Sequence, residues 1–519
     1  MEEARNLAQL AEQSMQGRGD RHAMLFDGEF VSHATILARA KRLQGALTEF
    51  GLRRDKVVAM CMTNHPLVYS VFGGIFRTGG IAVPVLTQLS PSELRYIFDH
   101  TEAIGIVTDS EVLDKVREAV AGLAHIKWIA VRGGTTDASR ATPEYDLDEF
   151  LAFEEQTQLP EISESDVALM LYTSGTTGRP KGVMLTHSNL MMSGDAVLEA
   201  NEYDLRPHPI IGLTSLPMAH IFGVGVMKSQ YLFPDEFEPG YVVQEKWFDP
   251  EKFLRKIEEE KVTDLYVVPT MLALMASHPK FNEYDLSTIN MVHVGAAPLP
   301  LEVADAFIER TGCFVKQLYG MTENSGQGTA GRISKGYRPG AAGLPYITTE
   351  LRIVDDNDQP VPTGTRGEIV TRGPATMKGY FKDSEATSVA TRNGWMHTGD
   401  IGYLDEDGFL FVVDRKKDMI IKGGENIFPA EVENVLYTHP DVAEAAVVGV
   451  PDKVYGEEIV AFVVTQSGSD ANAEELIGHV KSQLSSFKAP VAVHFLEQLP
   501  KSGVGKILRR ELRDRHSVS

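Results

Sequence analysis

The sequence predicts an α/β protein built in several units, and three observations carry that reading. Short apolar runs alternate with stretches of helical period over roughly the first 340 positions. Between about 340 and 414 the helical stretches vanish and short strands follow one another through Asp/Asn/Gly turns. Finally, 519 residues exceed what one hydrophobic core organises, so about three units of ~150 residues are expected.

Over 32–50, apolar residues recur at Ile36, Leu37, Ala40, Leu43 and Leu47, a helical spacing with Ser32 as its cap. Residues 57–62 read as a buried strand, 66–77 as a helix and 81–85 as a strand. Ser90-Pro-Ser-Glu93 is a capping box for a further helix. Strands follow at 104–107, 126–131, 210–216, 265–268, 289–294 and 315–318. Strands interleaved with helices predict a parallel sheet covered by helices. The strands at 351–354, 367–371 and 409–413 have no long helix between them and predict a small β-rich subdomain at about 340–414. Beyond it the pattern is again mixed, with a helix over 429–437 and strands over 445–450 and 459–464.

The formal net charge of −22 argues against nonspecific nucleic-acid binding, which needs clustered Lys and Arg. An anionic ligand must then be held by a local positive site against the overall field. Two cysteines, Cys61 and Cys313, are too few for a disulfide framework and read as buried, inert thiols. The most apolar stretch, 68–86, is interrupted by Arg77 and two Gly pairs, so no membrane span is expected. The opening Met1-Glu-Glu-Ala has no basic-then-apolar signal pattern, and the expected location is the cytoplasm.

Chemistry concentrates in Tyr172-Thr-Ser-Gly-Thr-Thr-Gly-Arg-Pro-Lys-Gly182, set between the apolar run Val167-Ala-Leu-Met-Leu171 and a helix cap at Thr186-His-Ser-Asn189. Glycines let backbone N–H groups approach an anion, while the hydroxyls of Thr173, Ser174, Thr176 and Thr177 and the ammonium of Lys181 add donors. The segment reads as a phosphate-binding loop. It is not a Walker loop, because Gly182 stands where Ser or Thr would hold magnesium. Tyr319-Gly-Met-Thr-Glu323 groups a stacking ring, a close-approach glycine, a hydroxyl and a carboxylate. Four further segments complete the set: Pro217-Met-Ala-His-Ile-Phe-Gly223, Gly295-Ala-Ala-Pro-Leu299, Trp395-Met-His-Thr-Gly-Asp400 and Leu499-Pro-Lys-Ser-Gly-Val-Gly-Lys-Ile507. Taken singly, His220 reads as a packing residue, the 295–299 segment as a strand-to-helix turn and Asp400 as a solvated carboxylate.

In their order these segments resemble the signature of the adenylate-forming enzymes: acyl-CoA synthetases, aryl-CoA ligases, luciferases and nonribosomal adenylation domains. The resemblance extends to residue 506. It implies a large N-terminal domain, 1–414, of stacked α/β subdomains plus a small β-barrel-like subdomain. A small mobile α+β C-terminal domain, 415–519, would follow, with its hinge at 415–417 and Lys417 as the hinge residue. It implies ATP and AMP binding by Thr173, Ser174, Gly175, Thr176, Thr177, Gly178, Gly295, Ala296, Ala297, Tyr319, Gly320, Met321, Thr322, Asp400, Arg415 and Lys506. Tyr319 would pack on adenine, Asp400 accept from the ribose hydroxyls, and Glu323 with Thr176 hold Mg2+. Catalysis would rest on Lys506, Glu323, Thr322 and Lys181. The acyl pocket would include His220, Gly295, Ala296 and Gly320, and Gly423 and Gly424 would border the CoA tunnel. Ile221 stands where relatives that activate α-amino acids carry Asp, so the acid would lack an α-amino group.

The implied activity is ATP-dependent ligation of a fatty or related apolar acid to CoA through an acyl-adenylate. An aryl acid, or a carrier protein as acceptor, is the alternative; a silent nucleotide-binding regulator ranks below both. The expected partners are the carboxylic acid, ATP and CoA, with no nucleic acid and no integral membrane association, and a homodimer is open.

Overall fold

The computed structural model describes residues 4–134, 136–173, 180–234, 237, 240–466, 468–469, 471–501 and 507–518. Four sheets organise them. The first has eight strands in the order Gly379–Tyr380, Lys181–Thr186, Val167–Thr173, Ile81–Pro84, Val57–Cys61, Gly105–Asp109, Trp128–Arg132 and Glu144–Asp146. From Val167–Thr173 to Glu144–Asp146 every pairing is parallel. Strands Val57–Cys61 and Ile81–Pro84 are buried throughout, which is why they read as continuous apolar runs.

The helix Pro66–Thr78 has all its residues buried. It crosses His33–Glu49 at a point where a side chain on Gly74 would come within 2.6 Å of Leu43 Cβ, so close approach of the two helices requires glycine there. The capping boxes expected at Ser90/Glu93 and Thr186/Asn189 are both formed.

The second sheet has nine strands, in the order Leu344–Pro345, Thr329–Ala330, Phe314–Tyr319, Met291–Gly295, Asp264–Val267, Gly212–Thr214, Val242–Gln244, His22–Phe26 and Glu29–Ser32. Its six central strands, Phe314–Tyr319 through His22–Phe26, run parallel. The His22–Phe26 strand went unpredicted, because its parallel partner Val242–Gln244 lies over 200 residues away.

The expected β-rich subdomain is a four-stranded antiparallel sheet of Glu350–Val354, Gly367–Arg372, Met396–Leu404 and Leu410–Arg415. Between its second and third strands the chain leaves this sheet: Gly379–Tyr380 pairs with Val183 and Met184 of the first sheet, and the short helix Ser384–Ala390 follows. The excursion ties this sheet to the strand Lys181–Thr186, which follows the expected phosphate-binding loop.

Past Arg415 a smaller α+β unit contains a five-stranded sheet centred on Gly456–Thr465, which pairs antiparallel with Val442–Asp452 and parallel with Ala492–Phe495. Helices Pro429–Tyr437 and Ala473–Gln483 cover it through Val432, Leu436, Leu476 and Val480, all fully buried. Both cysteines are buried, and burial pushes the Cys61 thiol up to about 12. No described helix is long and apolar enough to cross a membrane.

Candidate active site

Parallel strands end in loops at their C-terminal edge, and in the second sheet that edge carries His220, Gly295, Ala296 and Tyr319. In the second sheet, Met291–Gly295 and Phe314–Tyr319 are neighbours in register, with Gly295 opposite Leu318. A side chain on Gly295 would sit 2.8 Å from the Leu318 carbonyl oxygen, so the strand tolerates only glycine there. Ala296 follows with φ of +74°, a left-handed conformation that costs a non-glycine residue about 1 kcal/mol or more. Ala297 is exposed. On the same edge, His220 caps the helix Ile221–Tyr231, its Nδ1 accepting the Phe222 N–H at 3.2 Å.

Tyr319 ends its strand and begins a tight turn in which Thr322 and Glu323 are buried. Asn324 Oδ1 accepts from the Met321 N–H, and Gly326 N–H donates to the Met321 carbonyl, closing the turn on itself. Two clusters form at its ends.

At the first, the Tyr319 hydroxyl donates to Asp400 Oδ2 at 2.7 Å, and Arg415 Nε meets Asp400 Oδ1 at 2.7 Å. Asp400 and Arg415 are cross-strand partners in the antiparallel sheet, so their pairing is fixed by register. Asp400 holds the Arg415 guanidinium charged, and burial together with Asp400 pushes the Tyr319 hydroxyl well above its usual range. A carboxylate offers about four acceptor positions, so Asp400 can serve these two donors and ribose hydroxyls together.

At the second, the Tyr380 hydroxyl donates to Glu323 Oε1 at 2.9 Å. The Lys181 ammonium lies 5.1 Å from the centre of the Tyr380 ring and 3.9 Å from Asp383 Oδ2. Burial and the neighbouring Glu323 push the Tyr380 hydroxyl far up, so it remains a donor at any physiological pH. Lys181 and Gly182, expected within a loop, belong to a β-ladder: Thr173 faces Lys181 and Tyr172 faces Gly182. The two strands that flank the expected phosphate-binding loop therefore pair antiparallel. Ser174, Gly175, Thr176, Thr177 and Gly178 lie outside the described residues, as does Lys506. Tyr380 and Asp383 were missed by the sequence reading; the only signal was an aromatic and an acid in a stretch with no motif of its own.

The remaining predicted residues stand further on. Lys417 is exposed in the turn after Arg415. Just before it, the buried Asp414 accepts the Ala430 N–H at 2.9 Å at the start of helix Pro429–Tyr437. Gly423 and Gly424, with φ of +59° and +86°, form the two-residue turn of the hairpin Ile420–Lys422/Glu425–Ile427.

The AMP-binding enzyme family model matches residues 11–381, and that of the AMP-binding enzyme C-terminal domain matches 431–506. The chain is a member of the AMP-binding enzyme family. Feruloyl-CoA synthase from Amycolatopsis sp is 38% identical to this AMP-binding enzyme over 494 residues, 95% of each chain. Long-chain-fatty-acid–CoA ligase from Bacillus subtilis (strain 168) is 34% identical over 521 residues, 95% of this chain and 91% of its own. Among solved structures, the anthranilate CoA ligase AuaEII in complex with anthranoyl-AMP superposes with a TM-score of 0.89 at 25% identity, covering 98% of this chain and 97% of the other. The likeness to that structure covers the large N-terminal domain and the small α+β C-terminal domain together.

Proposed function

We propose that this AMP-binding enzyme is an ATP-dependent carboxylate–CoA ligase. It joins a carboxylic acid to AMP with release of pyrophosphate, then passes the acyl group to CoA. The observation that carries the reading is the turn from Tyr319 to Asn324. One end meets the Asp400–Arg415 pair, suited to a ribose; the other meets Lys181 through Tyr380, suited to phosphates. The CoA ligases among the relatives support the same acceptor.

Two anions must meet in the first step, so the main task is stabilising negative charge at the α-phosphate. Tyr319, with its hydroxyl tethered to Asp400, presents its ring to the adenine beside Gly295, Ala296 and Ala297. Asp400 accepts from the ribose. Thr173 and the segment from Ser174 to Gly178, with Lys181, hold the β- and γ-phosphates. Gly320, Met321 and Thr322 line the α-phosphate, and Lys506 bridges it to the attacking carboxylate.

The donor set fits a hard divalent cation such as Mg2+: Glu323 is a buried carboxylate, anchored through one oxygen by Tyr380 and placed among phosphate-binding groups, with Thr176 as the second protein oxygen. Bound there, Mg2+ would supply neutralisation of the nucleotide's negative charge. The acid enters beside His220, and Ile221 offers no countercharge for an ammonium group. In the second step the unit 415–519 turns relative to 1–414 about Lys417, bringing Gly423 and Gly424 to the acyl-adenylate as the border of the pantetheine path.

Incubating the enzyme with ATP and a panel of alkyl and aryl acids, with and without CoA, tests the reading. AMP release that depends on acid, with acyl-CoA formed only in the presence of CoA, is the expected result. Acid-independent ATP turnover would sink it.

A further inference from the structure

Beside the acyl site stands a buried polar cluster that the reaction does not use. Ser193 on helix His187–Asn201, Lys228 on helix Ile221–Tyr231 and Gln327 after the Tyr319–Asn324 turn are all buried, and both Lys228 and Gln327 bond to Ser193. The Lys228 ammonium donates to Ser193 Oγ, whose own proton goes to the Leu190 carbonyl at 2.8 Å. The Gln327 amide N–H donates to the Ser193 carbonyl, which fixes the orientation of the amide. Its carbonyl oxygen, Oε1, is buried without a hydrogen-bond partner among the described residues. Lys228 pairs with no carboxylate there, so an ammonium with three protons has one neutral acceptor.

The cluster adjoins the acyl site on two sides. Lys228 lies two helical turns beyond His220 and Ile221. Gly320 packs directly on Gly326 and Gln327: a side chain at Gly320 would come within 2.3 Å of the Gly326 carbonyl oxygen and 2.9 Å of the Gln327 nitrogen. Two turns rise about 10 Å, and helical side chains lean back toward the N-terminus, so the cluster lies on the order of 5–10 Å from the helix start.

We propose that Ser193, Lys228 and Gln327 form a specificity subsite for a hydroxyl group at the far end of the acyl substrate. The inference rests on the ligase reading above. A hydroxyl accepts from the Lys228 ammonium and donates to Gln327 Oε1, satisfying both. A distal carboxylate would satisfy Lys228 but set a second acceptor against Gln327 Oε1. An alkyl end would leave both buried groups unmet, which costs about 1–3 kcal/mol for a neutral group and more for a charged one. Burial, which pulls Lys228 down to about 7, agrees with an ammonium short of partners.

The test compares matched acids that differ only at the distal end, in one phenylpropenoic series and one alkanoic series: hydrogen, hydroxyl or carboxylate. The expected result is kcat/KM at least ~10-fold higher for the hydroxylated member of one series, since a site built to hydrogen-bond a hydroxyl discriminates strongly against its absence. Lys228→Met should bring that ratio to within about twofold of unity. A ratio near one in the wild type, a ratio unchanged in Lys228→Met, or a preference for the dicarboxylic acid would each overturn the proposal. Should Lys228→Met fail to give a cooperative melt, Gln327→Met provides the same comparison. Calorimetric binding of the same acids to wild type separates the two readings: hydroxyl-selective binding without AMP release would reject the ligase and keep the subsite. Binding that ignores the hydroxyl would reject the subsite even where AMP is released.

Discussion

The Tyr380 hydroxyl donates a hydrogen bond to Glu323 and its ring lies beside Lys181, so one side chain contacts both the carboxylate and the ammonium. Removing its hydroxyl leaves the ring in place and takes one hydrogen bond from the carboxylate. Tyr380→Phe should therefore lower kcat/KM for ATP by about 10-fold, the loss of one hydrogen bond to a charged group, and raise the Mg2+ concentration for half-maximal rate. Pyrophosphate exchange titrated with Mg2+ measures both, and an unmoved Mg2+ midpoint would leave Tyr380 a packing residue. Lys506→Ala should cut adenylation more than ~10²-fold by removing a charge aimed at the transition state; normal acid-dependent exchange in that variant would refute the role.

Lys228 makes a separate thermodynamic prediction. Its ammonium is disfavoured by burial, so the folded protein releases this proton near 7, whereas the unfolded chain holds it to about 10.5. Between those values the unfolded state binds more protons, and stability rises with pH. Lys228→Met should be more stable than wild type near pH 7, by on the order of a few kcal/mol, with the gap narrowing toward pH 10. Melting curves across that range would show it.

At the scale of elements, Asp414 joins the last strand of the antiparallel sheet to the start of helix Pro429–Tyr437. Burial raises its carboxyl to about 6, with Glu433 adding to the rise; Arg509 and the Ala430 and Arg415 N–H groups oppose it. The folded protein thus holds this proton to higher pH than the unfolded chain does. The group's contribution to stability is greatest below about 4 and is lost as pH rises to about 6. Asp414→Asn keeps an acceptor for Ala430 and cannot titrate, so the difference between its melting temperature and that of wild type should change between pH 4 and 6 and stay constant above. A difference that is flat throughout would mean the carboxyl titrates as in the unfolded chain.

At the scale of the whole molecule, the proposed reaction asks one crevice to serve two steps, with a heavily acidic chain of net charge −22 around an anionic substrate. The positive groups described at the site, Lys181 and Arg415, each stand beside a carboxylate, Asp383 and Asp400 respectively. They are held in place before the nucleotide arrives, which spares the cost of ordering them during the reaction. The turn at Lys417 is exposed and lies where the backbone passes to the C-terminal unit, the place proposed for the pivot. Lys417→Pro, by fixing φ, should preserve adenylation and abolish thioester formation. Pyrophosphate exchange and acyl-CoA formation measured side by side decide it, and equal loss of both would count against a pivot there.

The sequence by itself determined the alternation of strand and helix, both capping boxes and the motifs of contiguous residues. These are local: a cap reads three residues ahead, and nucleotide phosphates are held by consecutive backbone groups. The tertiary structure alone decided what those motifs meet. Tyr380 reaches Glu323 from 57 positions away, by way of a segment that leaves one sheet to pair with another. Gln327 reaches Ser193 across 134 positions. No pattern along the chain encodes such contacts, because the partners are brought together by sheet register and helix packing, which depend on the whole buried core.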